Sequence, residues 1–318
     1  MRAALIERYG EPPAIREVDD PLPTGRLVLV EVRAAGLNPA DLSIASGKFY
    51  AGSPPTPYIP GSEGVGIVIA GPGFKPGTRV YFEARREAGA LAEKTLIEKD
   101  AAVELPDAVD DGTALALGIA GTTAWLSLEQ RAQLMPGETV LVLAASGVLG
   151  MIAVQAARIM GAKRIVAAAR DAKGLERARA RGADAVVDLK HPDGLVDAFR
   201  EAAGGGVDVV IDPLWGPPAA AAMQALNRFG RHVQLGQSAG AEATLLSSVI
   251  RGRTLSILGY TTFAVPLEVR LAAYRRMVAE VAAGRLAADI EVLPLDAVAD
   301  AWRRQAQSPH AKLVLRPR

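Results

Sequence analysis

From about residue 111 to residue 235, short apolar runs alternate with helical patterns, and this rhythm restricts the fold more than any other feature of the chain. Strands are predicted at Thr139–Ala144, Arg164–Ala168, Ala185–Asp188, Val207–Ile211 and His232–Leu235. Helices are predicted between them, at Leu149–Met160, Ala172–Arg181, Gly194–Ala203 and Pro217–Leu226. Strands that alternate with helices pair in parallel through right-handed crossovers, so the block reads as a doubly wound parallel-sheet α/β domain.

The flanks differ. Residues 1 to about 110 are β-rich, with strands predicted at Leu27–Arg33, Gly64–Ala70, Thr78–Phe82 and Ala92–Ile97. The Tyr50–Gly61 segment carries Pro54, Pro55, Pro57 and Pro60, a spacing no helix survives. Beyond about residue 255 come a strand at Leu255–Gly259, a helix at Pro266–Gly284, short strands at Ile290–Leu293 and Leu313–Leu315, and a helix from Leu295 to Gln307. These tail elements are too few for a domain of their own. They are expected to return to the N-terminal region, giving a discontinuous domain of residues 1–115 and 255–318 around a domain of residues 116–254.

Composition narrows the chemistry. With 318 residues, half of them apolar, 22% charged and a net charge of +1, the chain suits two ordinary domains and offers no basic footprint for nucleic acid. There is no cysteine, which excludes disulfides, thiolate zinc sites and cysteine nucleophiles. The three histidines, His191, His232 and His310, are far apart, and His191 and His232 have nothing at ligand or triad spacing. Met1 to Arg8 acquires charge too early for a secretory signal. The uncharged run Thr139–Ala157 is better explained as a strand, a glycine turn and a buried helix than as a membrane span. A cytoplasmic protein acting without membrane or nucleic-acid partners is expected.

The turn Ala145-Ser146-Gly147-Val148-Leu149-Gly150 follows a strand and opens a helix. It fits a dinucleotide fingerprint with alanine in the first glycine slot. Gly147 lets the backbone approach a pyrophosphate, Gly150 lets helix pack on strand, and the helix start around Ser146, Val148 and Leu149 offers amides to phosphate. A bare glycine pattern is weak by itself; here it has the strand–turn–helix context. An NAD site wants a carboxylate about 20 residues further on, but that slot falls on Ala169, with Arg170 next and Lys173 one helical turn later. A guanidinium can fork onto a 2′-phosphate, so NADPH is the expected cofactor. The plainer alternative is that both cations solvate a loop, with Asp171 as a helix cap.

At this point the chain resembles a zinc-independent medium-chain dehydrogenase/reductase of the quinone oxidoreductase family. The matching segments are Gly36-Leu-Asn-Pro-Ala-Asp41, Ile59-Pro-Gly-Ser-Glu-Gly-Val-Gly66, Gly121-Thr-Thr-Ala-Trp125, the fingerprint, and Gly182-Ala-Asp184. Val207-Asp-Val-Val-Ile-Asp212, Phe229-Gly-Arg231 and Ala311-Lys-Leu-Val-Leu315 complete the succession. The resemblance implies a Rossmann domain inserted in a GroES-like β-rich domain, with the active site in the cleft between them, and a homodimer that extends the sheet around Leu255–Gly259. It also implies a missing metal: where zinc-dependent relatives carry a Cys and a Gly-His-Glu, this chain reads Leu37-Asn38-Pro39 and Gly61-Ser62-Glu63. Without that Lewis acid, a conjugated acceptor remains reducible, because hydride addition at its β-carbon develops an oxyanion that hydrogen bonds can stabilise.

By the same resemblance, Asn38 is an active-site residue that hydrogen-bonds substrate or nicotinamide ribose; read locally, Asn38, Pro39 and Asp41 are the N-cap, N1 and N3 of a short helix. Thr123 falls beside the nicotinamide in the family pattern, or is a buried helix threonine. Tyr50 is displaced by one position from the family's Gly-x-Tyr, and Tyr58 is an alternative proton donor or a wall. Glu63 is expected to be a hydrogen-bonded structural carboxylate. Lys312 matches the family's terminal lysine, with Ala311 in place of glycine. Leu214 in Asp212–Gly216 and the Gly236-Gln237-Ser238 loop after a strand stand where a cofactor binds in such sheets, while Trp215 lines the cofactor cleft or packs the domain. The function these residues imply is NADPH-dependent hydride transfer to quinones or α,β-unsaturated carbonyls, small molecules in either case. Its alternatives are a zinc-free alcohol/ketone oxidoreductase and a non-catalytic NADPH-binding sensor.

Overall fold

The computed structural model describes residues 1–23 and 25–317. The chain divides into two units, one of residues 1–120, 274–282 and 287–318, the other of residues 121–273 and 283–286.

The second unit holds a six-stranded parallel sheet. Its strands Thr139–Leu143, Arg164–Ala169, Ala185–Asp188, Val207–Asp212, Leu226–Gln234 and Ser256–Gly259 lie in the spatial order third, second, first, fourth, fifth, sixth. The central strands are apolar on both faces: Val140 to Leu143 and Ile165 to Ala169 are all buried. That is what a sheet covered by helices on both sides requires. One face packs into a core of Leu141, Val166, Val210, Phe199 and Met223, the last two from helices Leu195–Ala203 and Gly216–Ala225. The order of strands reverses beside Thr139–Leu143, so the carboxyl ends of Thr139–Leu143 and Val207–Asp212 flank a topological switch point.

The first unit is built on an antiparallel sheet around Leu27–Gly36, which pairs with Glu63–Ala70, Lys94–Glu98 and Lys312–Arg316. Along it, exposed Glu31 and solvent-facing Arg33 alternate with buried Val32 and Ala34, the period-two signature of a strand with one wet face. Ile290–Pro294 adds a parallel strand beyond Lys312–Arg316, while Arg79–Glu83 and Ala102–Glu104 extend the other side. Arg2–Leu5 and Ala14–Glu17 form a separate two-stranded ribbon.

The tail divides differently from the expectation. Strands Ile290–Pro294 and Lys312–Arg316 do join the N-terminal sheet, but Ser256–Gly259 pairs in parallel with Arg231–Gln234 and closes the other sheet. The expected boundary before residue 255 is therefore displaced: the second unit runs on to residue 273. The cause is a crossover helix, Ser247–Arg253, that buries no residue and so shows no apolar stripe to read. Among the described residues, no helix is long and apolar enough to cross a membrane.

Phe199 is 0% exposed in the core of the parallel-sheet unit. Phe199→Ala is expected to lower the stability of that unit by about 3–5 kcal/mol, read as a shift of its urea transition. Ile257→Ala, on an edge strand where the side chain is 40% exposed, is expected to shift it by under about 1 kcal/mol.

Candidate active site

Each unit contributes one organised cluster. In the parallel-sheet unit, the fingerprint turn leaves strand Thr139–Leu143 through Ala144, whose φ is 51°, and enters helix Val148–Ile159. Gly150 is obligatory: a Cβ there would stand 2.4 Å from the Ala144 carbonyl oxygen and 2.7 Å from Ala145 Cα. Gly147 is different, because a Cβ there would meet nothing nearer than the Ala144 carbonyl oxygen at 3.6 Å. Gly147, Val148 and Leu149 are half-buried, and first-turn amides lack helical acceptors. The turn is thus a cradle with room for a phosphate, which is the fit a dinucleotide needs.

The next strand ends at buried Ala169, and Arg170 and Lys173 follow, both exposed. Neither forms an ion pair or hydrogen bond among the described residues. Asp171 caps helix Ala172–Ala180 by accepting the Gly174 amide at 2.7 Å, so its carboxylate is committed to the helix end. A Cβ on Gly174 would come within 2.3 Å of Ser146 Cβ. This contact, which the sequence reading missed, docks the helix start against the fingerprint and holds the two cations beside the cradle.

Across the switch point, Asp212 Oδ1 accepts the amides of Leu214 and Trp215 at 2.8 and 2.9 Å. Gly236 crosses so close that a Cβ would stand 2.8 Å from the Pro213 carbonyl oxygen, while Gln237 is exposed. Thr123, in helix Thr122–Leu126, is half exposed and gives its carbonyl to the Ser127 amide.

In the antiparallel-sheet unit, Glu63 is 0% exposed. Its Oε1 accepts Asn38 Nδ2 at 2.8 Å and Lys312 Nζ at 2.5 Å; its Oε2 accepts the Tyr81 hydroxyl at 3.0 Å and the Ile119 amide at 2.8 Å. Lys312, 2% exposed, also donates to Asn38 Oδ1 at 2.8 Å. Glu63 is the structural carboxylate expected, and the structure adds that Asn38 and Lys312 are its partners. Gly118 makes room: a Cβ there would lie 1.9 Å from Glu63 Oε2, and the helical stretch breaks at that residue, with ψ −120°.

Asn38 occupies the N-cap position of helix Pro39–Ala45, its amide donating to Asp41 Oδ2 at 2.8 Å. The side chain faces Glu63 and Lys312, so the residue serves both the helix end and the cluster. Burial raises the Asp41 carboxyl, against the pull of Ser62, the Asn38 amide and Lys312. Tyr50 is 71% exposed against Phe49. The Tyr58 hydroxyl is buried without a partner, and burial, then the Asp41 charge, raises it beyond the usual phenol range. Among the described residues no group of three or more His, Cys, Asp or Glu side chains is placed to hold a metal ion. The two segments set against the zinc-dependent pattern, Leu37-Asn38-Pro39-Ala40-Asp41 and Gly61-Ser62-Glu63, hold no Cys or His, and the Ser62 hydroxyl donates to Asp41 at 2.5 Å.

An alcohol dehydrogenase GroES-like domain matches residues 25–107, and a zinc-binding dehydrogenase domain matches residues 148–281. The quinone oxidoreductase of Homo sapiens is 31% identical over 271 residues, covering 83% of this chain and 80% of that protein. The chain belongs to the medium-chain dehydrogenase/reductase family, in its zinc-independent quinone oxidoreductase branch. The fold expected from the sequence, a Rossmann domain and a GroES-like domain, is that of this family. A solved structure described as an NAD-dependent alcohol dehydrogenase superposes with a TM-score of 0.90 at 30% identity, covering 99% of each chain. The chain is also 32% identical over 313 residues, 95% of its length, to a phenolphthiocerol/phthiocerol polyketide synthase polypeptide of Mycobacterium tuberculosis, of which it spans only 14%. Medium-chain dehydrogenase/reductases are NAD(P)-binding oxidoreductases, and the fingerprint cradle is where this chain has room for that cofactor.

The Glu63–Lys312 pair is fully buried, so removing one charge strands the other. Lys312→Met is expected to lower the stability of the antiparallel-sheet unit by about 3–5 kcal/mol in urea unfolding. Adding Glu63→Gln to that variant is expected to recover most of the loss. A double variant no more stable than Lys312→Met would show that the charge is not what the pair supplies.

Proposed function

We propose that the protein is an NADPH-dependent reductase that delivers hydride to quinones or α,β-unsaturated carbonyls without a metal ion. The observation that carries the reading is the end of strand Arg164–Ala169, where apolar Ala169 fills the carboxylate slot and two uncommitted cations, Arg170 and Lys173, stand beside the phosphate cradle. Arg170 would fork onto a 2′-phosphate, and Lys173 would add a point charge. The amides at Val148 and Leu149 and the helix dipole behind them would hold the pyrophosphate.

The bound nicotinamide would supply the hydride. The chain's own work is to bind, orient and stabilise. Asn38 is held by Glu63 and Lys312 in one orientation, and one of its two Nδ2 protons is left for a substrate oxygen that gains charge as hydride arrives. Thr123 is the residue proposed to stand beside the nicotinamide. The chain's tyrosines are not the proton donor in this reading: Tyr50 stands exposed, and burial holds the Tyr58 hydroxyl above its usual range. Solvent would protonate the enolate or the quinolate oxygen left by hydride addition.

A second reading, oxidation and reduction of simple alcohols and ketones with NAD, is favoured by the likeness to the NAD-dependent alcohol dehydrogenase. Against it stands the donor set: the Asn38 amide and the Ser62 hydroxyl, the latter already given to Asp41, offer nothing to polarise an isolated carbonyl. We place the protein in the cytoplasm as a homodimer. The open edge strand Ser256–Gly259, with Ile257 exposed, supports a second copy pairing there.

Arg170→Ala is expected to weaken NADPH about 10- to 100-fold while changing NADH less than threefold, measured by nucleotide titration of the purified protein. Equal losses for both nucleotides would remove the 2′-phosphate assignment. Turnover is expected to be unchanged by a chelator, whereas loss of rate that zinc restores would contradict the metal-free reading.

A further inference from the structure

Asp212 and His232 form a pair that the fold, the core and the fingerprint leave unexplained. Both are 0% exposed, and Asp212 Oδ2 lies 2.8 Å from His232 Nε2. The other ring nitrogen, Nδ1, has no partner among the described residues, which puts the proton on Nε2 and makes it the donor to Asp212. The second carboxylate oxygen takes the amides of Leu214 and Trp215, so one carboxylate fixes a whole turn.

That turn is strained. Trp215 has φ 58° and ψ −161°, a backbone region used almost only by glycine, and its ring packs edge-on to His232 with centroids 6.0 Å apart. Such a state persists only when its surroundings over-determine it, and here they do. The Leu235 amide donates to the Asp212 carbonyl at 2.8 Å, and the Ala239 amide donates to the Leu214 carbonyl at 2.8 Å. The loops after two neighbouring strands are thereby laced together at the carboxyl edge of the sheet. Strand Val207–Asp212 pairs directly with Thr139–Leu143, so the turn leaves the carboxyl edge one strand away from the fingerprint, with Leu214 and Trp215 packed at the rim of the core that includes Leu141 and Val210.

We propose that Asp212 and His232 are positioning residues that hold Trp215, in a conformation otherwise left to glycine, as one wall of the dinucleotide crevice. The proposal rests on the nucleotide reading of that crevice. It assigns the pair to the part of the nucleotide that NADPH and NADH share, unlike Arg170, whose role is the 2′-phosphate.

The test is fluorescence titration of the full chain with NADPH and with NADH. His232→Leu is expected to weaken both nucleotides alike, by about tenfold, because a wall displaced by a fraction of an ångström no longer meets its ligand. His232→Gln keeps an N–H for Asp212 and is expected to stay within about threefold of wild type. Trp215→Gly suits the backbone but deletes the ring, and is expected to fold, by circular dichroism, while losing about tenfold for both nucleotides. A purely structural pair would lower the melting temperature in His232→Leu without moving either binding constant, and that result overturns the proposal. So does a Trp215→Gly protein that binds as wild type does, or a Gln variant no better than Leu. Failure of the wild-type chain to bind either nucleotide would overturn the cofactor reading and this proposal with it.

Discussion

A carboxylate at 0% exposure must collect hydrogen bonds or carry a heavy desolvation cost, and Glu63 collects four. They come from four separate stretches of chain: Asn38 at the start of the first helix, Tyr81 on a neighbouring strand, Ile119 in a broken helical stretch, and Lys312 on the last strand. This one group therefore decides much else. Gly118 has no room for a side chain because Glu63 lies against it, and Asn38 points one way because Glu63 and Lys312 hold it. In the zinc-dependent pattern the same position serves a metal shell; here its two oxygens are consumed by protein donors. The metal-free chemistry proposed for the chain follows from that commitment together with the absence of Cys and His from the segments Leu37–Asp41 and Gly61–Glu63.

The parallel-sheet unit carries a cluster of its own. Its helix start at Gly147 is open because Gly150 lets the helix sit tightly on the strand, and its two cations are held in place because Gly174 lets the next helix touch Ser146. Close backbone approach, and not side-chain chemistry, makes the cradle. The side chains with chemistry to offer, Arg170 and Lys173, are exposed and uncommitted, which suits groups that wait for a ligand.

The alternation of apolar runs such as Val140–Leu143 and Ile165–Ala169 with helical patterns made the parallel sheet readable, and the strand–turn–helix context made the fingerprint readable within it. Helix Ser247–Arg253 was unreadable because it buries nothing, and that single omission displaced the expected domain boundary. The Glu63–Lys312 pair joins residues 249 apart, beyond any local spacing. Asp212 and His232 were passed over for the same reason. Their relation is one of strand register: Asp212 pairs with Gln234, so His232, two residues earlier, points to the same face of the sheet. Only the paired sheet brings these residues together.

On the proposed reading, this fold moves hydride from NADPH to conjugated acceptors and needs no Lewis acid to do so. The most direct measurement follows NADPH absorbance while the protein is offered a benzoquinone, a naphthoquinone, a 2-alkenal, an enone and a saturated ketone. The account predicts decay with at least one conjugated acceptor and none with the saturated ketone. Reduction of the saturated ketone at a rate comparable to the enone would contradict it.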